Sequence, residues 1–296
     1  MTSGPPTTFR IQCNDGSSVH TRHWGGAHSP KAVIHIAHGM AEHSRRYSRL
    51  ASTLVDAEYE VYAHDHRGHG ESVANQSNLG RFGADGWNAL VRDLSTVHAW
   101  IRERHAGTPF VALGHSMGSF ALQQLLLDES SLIDGAVLSG STALDQIAAG
   151  IAVSEPLDVS ATDSLFNARF QPARTANDWL SRDEDEVDVY IADPLCGFAL
   201  EADAARDLAA AATRLADTGA LAAIRPDLPL YLFSGSDDPI HLDFSALDLL
   251  VARYREAGLT NIHVRSYSGG RHEMLNETNR DEVVGDLIDW LNALAR

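Results

Sequence analysis

The sequence predicts an α/β fold: a mostly parallel sheet of eight strands, helices on both faces, and a helical insertion before the last two strands. Three observations predict it. Short apolar runs alternate with amphipathic stretches over most of the 296 residues, the pattern of βαβ units sharing one sheet. An apolar strand, a Gly-x-Ser-x-Gly turn and a helix follow one another from Val111 onward. The interval 142–227 carries several helix-like pieces and no convincing strand.

The elements read as follows. Thr7 to Cys13 and Val19 to Trp24 are strand-like, and Asn14-Asp15-Gly16 between them is hairpin turn chemistry. Ala32 to Ala37 is a short apolar run ending at His38-Gly39, as expected of a strand buried on both faces. Tyr47 to Ala57 has helical spacing, and Tyr59 to Ala63 is the next strand. From Asp85 to Arg104, Leu90, Leu94, Val97 and Ile101 fall on one helical face. Phe110 to Leu113 is a strand, Met117 to Leu127 a helix and Ala136 to Leu138 a strand. Past the interval, strands at Leu230 to Phe233 and Ile262 to Tyr267 are followed by helices over Phe244 to Ala257 and Asp281 to Leu294, respectively.

A segment as long as 142–227 is not left structureless inside a compact domain, and Pro156, Pro172 and Pro194 divide it into helix-sized pieces. The expected organisation is a core of residues 1–141 and 228–296 carrying a helical cap or lid over 142–227. Within the lid, Arg182 to Asp188 is an acidic run expected to be a solvated helix face, and Ala209 to Ala212 is simple helix former.

Composition narrows the function. A chain that is 44% hydrophobic and 21% charged is ordinary for a globular protein. A formal net charge of -17 repels phosphate backbones and anionic headgroups, so no nucleic-acid partner is expected. Lys31 is the only lysine, for which the sequence offers no functional reason. Two cysteines, Cys13 and Cys196, make no disulfide framework and suit a reducing compartment. The first ten residues lack the features of a signal peptide, and no apolar stretch approaches the roughly 20 residues that span a bilayer. A cytoplasmic location without a transmembrane segment is expected.

The chemistry is carried by three dispersed residues. Val111-Ala112-Leu113-Gly114-His115-Ser116-Met117-Gly118 places Ser116 on a tight turn between strand and helix, where glycines at both flanks allow close backbone approach. A serine hydroxyl needs a base to take its proton. Leu230 to Phe233 leads to Ser234-Gly235-Ser236-Asp237-Asp238-Pro239, and Ile262 to Tyr267 leads to Ser268-Gly269-Gly270-Arg271-His272-Glu273. Both loops lie at the carboxyl ends of parallel strands, where ligands bind in open α/β sheets. His272 is thus the candidate base and one of the neighbours Asp237 and Asp238 the acid that orients it. The backbone N–H of Met117, just after the nucleophile, is a candidate oxyanion donor.

The chain resembles the monoacylglycerol lipase and lysophospholipase branch of the α/β hydrolases, the serine aminopeptidase S33 type. The likeness runs through His38-Gly39-Met40-Ala41-Glu42-His43-Ser44, Asp65-His66-Arg67-Gly68-His69-Gly70-Glu71-Ser72, Gly114 to Gly118, Gly235 to Asp238 and Gly269 to Glu273. It implies Asp238 as the triad acid, with Asp237 the fallback, and the N–H of Met40 as the second oxyanion donor. Glu42 and Arg67 resemble positions that brace that loop. Ser119 departs from the family, which commonly has a glycine there.

The expected activity is hydrolysis of monoacylglycerol-like or other single-chain esters through an acyl-enzyme on Ser116. Lysophospholipase, acyltransferase or perhydrolase activity on the same triad are the alternatives, with a non-catalytic ligand-binding module more remote. Epoxide hydrolases and dehalogenases of this fold use an acidic nucleophile, which Ser116 argues against. Ile147, Ile151, Val153, Leu165 and Phe166 of the lid would face the acyl chain, and the lid could touch a membrane transiently. No cofactor and no metal are expected. His64, His66 and His69 belong to a glycine-rich turn without an accompanying ligand set, His35 is a satisfied core residue, and Cys196 a buried cysteine.

Overall fold

The computed structural model describes residues 4–25, 29–152 and 165–294, and the side chains of all of these but 149–152. Eight strands form one sheet in the order β1-β2-β4-β3-β5-β6-β7-β8. They are β1 (Thr7–Gln12), β2 (Ser18–Trp24), β3 (Val33–Ala37), β4 (Glu60–His64), β5 (Phe110–His115), β6 (Gly135–Ser139), β7 (Leu230–Gly235) and β8 (Ile262–Tyr267). The opening hairpin pairs antiparallel and joins β4 antiparallel, and every later pairing is parallel.

The alternation of side chains along each strand sorts the core into two layers. Ile34 and Ile36 of β3 and Val111 and Leu113 of β5 point toward α1 (Ser48–Asp56) and the C-terminal helix Arg280–Leu294, where Leu54, Leu287 and Leu291 are buried. Val33 and Ala37, with Phe110 and Ala112, point to the other face, toward α2 (Gly86–Arg104) and α3 (Met117–Glu129). His35 alternates with Ile34 and Ile36 and therefore also faces α2.

Between β6 and β7 the described residues contain helices and no strand. These are α4 (Leu144–Ala152), α5 (Glu184–Ala192), α6 (Ala202–Leu215) and the single turn α7 (Thr218–Leu221); α8 (Ser245–Glu256) and α9 (Arg280–Leu294) follow β7 and β8. The helix α6 buries Ala205, Leu208, Ala212 and Leu215 and packs against α2, α3 and α4, so this part of the interval is continuous with the core.

The preceding stretch is pinned to the loop after β8. The N–H of Glu273 donates to the Leu180 carbonyl at 2.8 Å, and Arg182 pairs with the fully buried Glu277 at 2.9 Å. Arg182 to Asp188 therefore differs from the expected solvated face. Glu184, Asp185 and Asp188 are exposed, but Arg182 anchors the segment, Asp183 caps α5 and pairs with Arg280, and Glu186 pairs with Arg49. No described helix is long and apolar enough to cross a membrane.

Candidate active site

The parallel strands bring the candidate residues to one rim of the sheet, because each lies at or just beyond a strand's carboxyl end. Ser116 follows β5 with φ 50 and ψ -120, a strained conformation for a residue with a side chain. Its flanking glycines are required sterically. A Cβ on Gly114 would lie 2.6 Å from the Gly118 carbonyl oxygen, and one on Gly118 would overlap the carbonyls of Ala37 and His38. The turn then feeds directly into α3, placing the Met117 N–H at the helix N-terminus, where it has no intrahelical acceptor.

Beyond β7 the chain bends at Asp238, whose carboxylate is fully buried and caps a 3-10 turn through the Ile240 N–H at 3.1 Å. Beyond β8, the Nδ1 of His272 lies 3.1 and 3.0 Å from the two oxygens of Asp238. Asp237 points elsewhere and accepts from the Ser236 hydroxyl at 3.1 Å. Burial alone would lower the His272 pKa, but the charge and hydrogen bond of Asp238, helped by Glu273 and Glu42, outweigh it and raise the ring above its usual 6.5. Burial likewise pushes Asp238 up, and His272 more than reverses this, holding it below the usual carboxylate range. With Nδ1 engaged by Asp238, Nε2 is the nitrogen available to receive a proton.

Ser116 and His272 line one cleft of about 760 Å³, counting its solvent-filled mouth. Its walls mix apolar side chains such as Phe120, Ile147, Phe166 and Leu208 with the polar Glu42 and Glu273. Of the lid residues expected there, Ile147 and Phe166 line the cleft, whereas Leu165 is 62% exposed. Val153 and the Ile151 side chain lie outside the described residues.

The loop Gly39-Met40-Ala41 forms another wall and is clamped from several sides. Glu42 accepts the Gly39 N–H at 2.5 Å and the Tyr47 hydroxyl at 2.8 Å, and Arg46 bridges Glu42 and Glu273 at 2.7 Å each. Desolvation would raise Glu42, yet Arg46 and the surrounding donors keep it below its usual value, so the buried carboxylate is charged. The Ala41 N–H donates to Nε2 of His69 at 3.2 Å, and the Gly39 carbonyl accepts from Nδ1 of His38 at 2.8 Å. The 142–227 interval reaches the same loop: the Tyr190 hydroxyl and the Gly197 N–H both donate to the Ala41 carbonyl, at 3.2 and 2.9 Å.

These contacts revise two readings. Arg67 does not brace this loop; it pairs with Asp93 at 2.7 Å and Asp15 at 2.9 Å, away from it. Glu42 is joined in the bracing by His38 and His69; spacing alone read His69 as a turn residue and His38 as the end of a strand. Only the recurrence of His-Gly in His38-Gly39 and His69-Gly70 hinted at it.

Four more buried histidines continue this packing. Nε2 of His98 on α2 lies 3.0 Å from Nδ1 of His35, and Nε2 of His35 lies 2.9 Å from Nδ1 of His64. His66 follows, edge-on to His64 at 4.6 Å, with its N–H donated to Nε2 of His38 at 3.0 Å. Burial depresses them all, with neighbouring histidines adding to the effect: His64 and His98 to about 3, His69 to about 4.

One set of ligand-type atoms lies together among the described residues: His43, Asp193 and Cys196, within 4.8 Å of one another. Asp193 already accepts from His43 at 3.0 Å and from Arg45 at 3.3 Å, and Arg46 lies close enough to act on Cys196. With two guanidinium groups beside it the trio is a junction between lid and loop, poorly suited to a further cation. Burial raises both cysteine thiols, that of Cys13 to about 12, so neither is a thiolate at neutral pH.

Comparison with known proteins agrees with this architecture. The chain is 30% identical to the monoglyceride lipase of Mus musculus over 283 residues, covering 94% of this chain and 87% of that one. It is 30% identical over 273 residues to the monoacylglycerol lipase of Mycolicibacterium smegmatis, covering 90% of each. The fold matches a thermostable carboxyl esterase from Bacillus coagulans, crystallised with glycerol, at a TM-score of 0.88 and 24% identity over 99% of this chain and 100% of that one. A family model described as serine aminopeptidase, S33, matches residues 28–279. The chain belongs to that family, in the monoacylglycerol lipase-like branch of the α/β hydrolases.

Proposed function

We propose that this serine esterase cleaves monoacylglycerol-like, single-chain carboxylic esters through an acyl-enzyme on Ser116. The observation that carries the reading is the bond from the buried Asp238 to His272, which lines the cleft that also holds Ser116. In the reading, Nε2 of His272 takes the Ser116 proton as the hydroxyl attacks the ester carbonyl, and Asp238 stabilises the imidazolium. The tetrahedral oxyanion accepts from the N–H groups of Met40 and Met117. His272 then protonates the departing glycerol oxygen, and water activated by the same ring releases the fatty acid.

Residues 142–227 act as the lid: Ile147, Phe166 and Leu208 offer the acyl chain apolar surface, and Glu42 and Glu273 offer the headgroup polar groups. Substrate preference is carried over from the named relatives, supported by this mixed lining. A net charge of -17 favours a neutral glycerol headgroup over an anionic one. A cytoplasmic location, with transient membrane contact through the lid, belongs to the same reading.

The test is hydrolysis of monoacylglycerols, lysophospholipids and simple esters of graded chain length by wild type and Ser116→Ala. Monoacylglycerols should give the highest kcat/KM, and the variant should lose at least about 10⁴-fold. Full activity of Ser116→Ala would refute the mechanism; preference for lysophospholipids would refute the substrate; transfer to added alcohol or peroxide in place of free acid would refute hydrolysis.

A further inference from the structure

Ser119 has a use in this structure that the reading above leaves open. It lies one turn into α3, fully buried, and its hydroxyl is 2.6 Å from the Ser116 carbonyl oxygen and 2.8 Å from the Ser141 hydroxyl. The Ser141 hydroxyl in turn accepts from Nε2 of Gln123 at 2.9 Å. Gln123 is 2% exposed and Ser141 1% exposed.

The Ser119 hydroxyl is the donor in both of its short contacts, to the Ser116 carbonyl and to the Ser141 oxygen, and it has one proton. The shorter contact is the one to the Ser116 carbonyl, and the Ser141 oxygen is already supplied by the Gln123 amide. That carbonyl already accepts the N–H groups of Ser119 at 2.8 Å and Phe120 at 3.2 Å, as the first carbonyl of the helix.

The Ser116 carbonyl and the Met117 N–H are the two ends of one peptide group. A donor on the carbonyl draws electrons through the amide and makes its N–H a stronger donor, the usual cooperativity of hydrogen-bond chains. We propose that Ser119 is a positioning residue, whose hydroxyl polarises the Ser116–Met117 peptide so that the Met117 N–H binds the reaction's oxyanion more tightly. This deepens the reading of Ser116 as nucleophile and rests on it. The hydroxyl moves no proton to substrate; it acts through the peptide.

One donor to the oxyanion is worth about 10²–10³ in rate, and cooperative strengthening is about 10–30% per bond. Ser119→Ala should therefore lower kcat by roughly two- to eightfold with KM nearly unchanged. The Ki of a trifluoromethyl ketone, whose adduct carries the oxyanion, should rise by the same factor. Ser119→Gly, which removes the same hydroxyl, should shift kcat and Ki in the same direction.

A spectroscopic reading separates this from a merely structural role. Ser116–Met117 is the only Ser-Met pair in the sequence, so carbonyl-¹³C serine with ¹⁵N methionine isolates the Met117 amide in a single correlation. In folded Ser119→Ala that amide proton should move upfield, while the Met40 amide, visible from the ¹⁵N label alone, stays in place. If Ser119→Ala misfolds, Ser119→Gly is read the same way. An unmoved Met117 amide, or an unchanged inhibitor Ki in variants that still react with a fluorophosphonate at Ser116, would overturn the proposal and leave the nucleophile standing. Failure of wild type to react there would instead remove the reading beneath it.

Discussion

Two groups of buried imidazoles lie within this one sheet, and they differ in a single kind of partner. His272 is bonded to a carboxylate, Asp238, and its pKa is raised. His35, His64 and His98 are bonded only to one another, His38 and His69 mainly to peptide groups, and their pKa values are depressed. Both groups are inaccessible, so burial does not separate them. What separates them is whether a proton, once gained, finds a charge to hold it. The first group is fitted to hold a proton; the second must stay neutral, because His38 and His69 each use one nitrogen as acceptor and one as donor.

The sharpest way to break this contrast is to remove each side in turn. His272→Gln should lower kcat by about 10⁴-fold or more with little change in Tm, measured by steady-state kinetics and calorimetry. A variant retaining a tenth of the activity would dissolve the distinction. Next in size is the buried Arg46, which holds Glu42 and Glu273 on either side of the cleft. Arg46→Met leaves two buried carboxylates uncompensated and should cost about 3–5 kcal/mol by denaturant unfolding.

The silent histidines should respond through stability. His35→Leu orphans the facing nitrogens of His64 and His98 and should cost roughly 1–3 kcal/mol, with kcat within about twofold of wild type. Acid titration sharpens the same point. The depressed rings bind protons more readily once unfolded, so their contribution is complete above about pH 6.5 and is lost as pH falls toward 3–4. Each can contribute a slope of about 1.4 kcal/mol per pH unit. The raised His272 has the opposite sign, adding stability below 6.5 that fades as pH rises through its own pKa. Unfolding free energy measured from pH 7 to 4 should therefore fall with uptake of several protons; a flat profile would mean that the histidines are not held neutral.

Much of the architecture was legible because it is periodic. The short apolar run Ala32 to Ala37 announces a strand buried on both faces, and the spacing of Leu90, Leu94, Val97 and Ile101 announces α2. The elbow was legible because its glycines are a steric necessity. Spacing did not choose between Asp237 and Asp238, because adjacent residues share it; the family resemblance pointed to Asp238, and the bend after β7 is what turns that residue toward His272. The histidine chain was hidden for a different reason. His35, His64 and His98 come from β3, β4 and α2, and no local pattern records a contact across such separations. Arg182 looked like part of a solvated run because its partner Glu277 lies 95 residues away.

The central claim is that Ser116 and His272 act as one proton-transfer unit. The most direct measurement is the rate at which a fluorophosphonate phosphonylates Ser116 as a function of pH, in wild type and His272→Gln. The account predicts an acid limb with an apparent pKa above 6.5 in wild type, in keeping with the Asp238-raised ring, and at least about a 10³-fold slower, limbless reaction in the variant. A wild-type limb below 6.5, or equal rates in the two proteins, would contradict it.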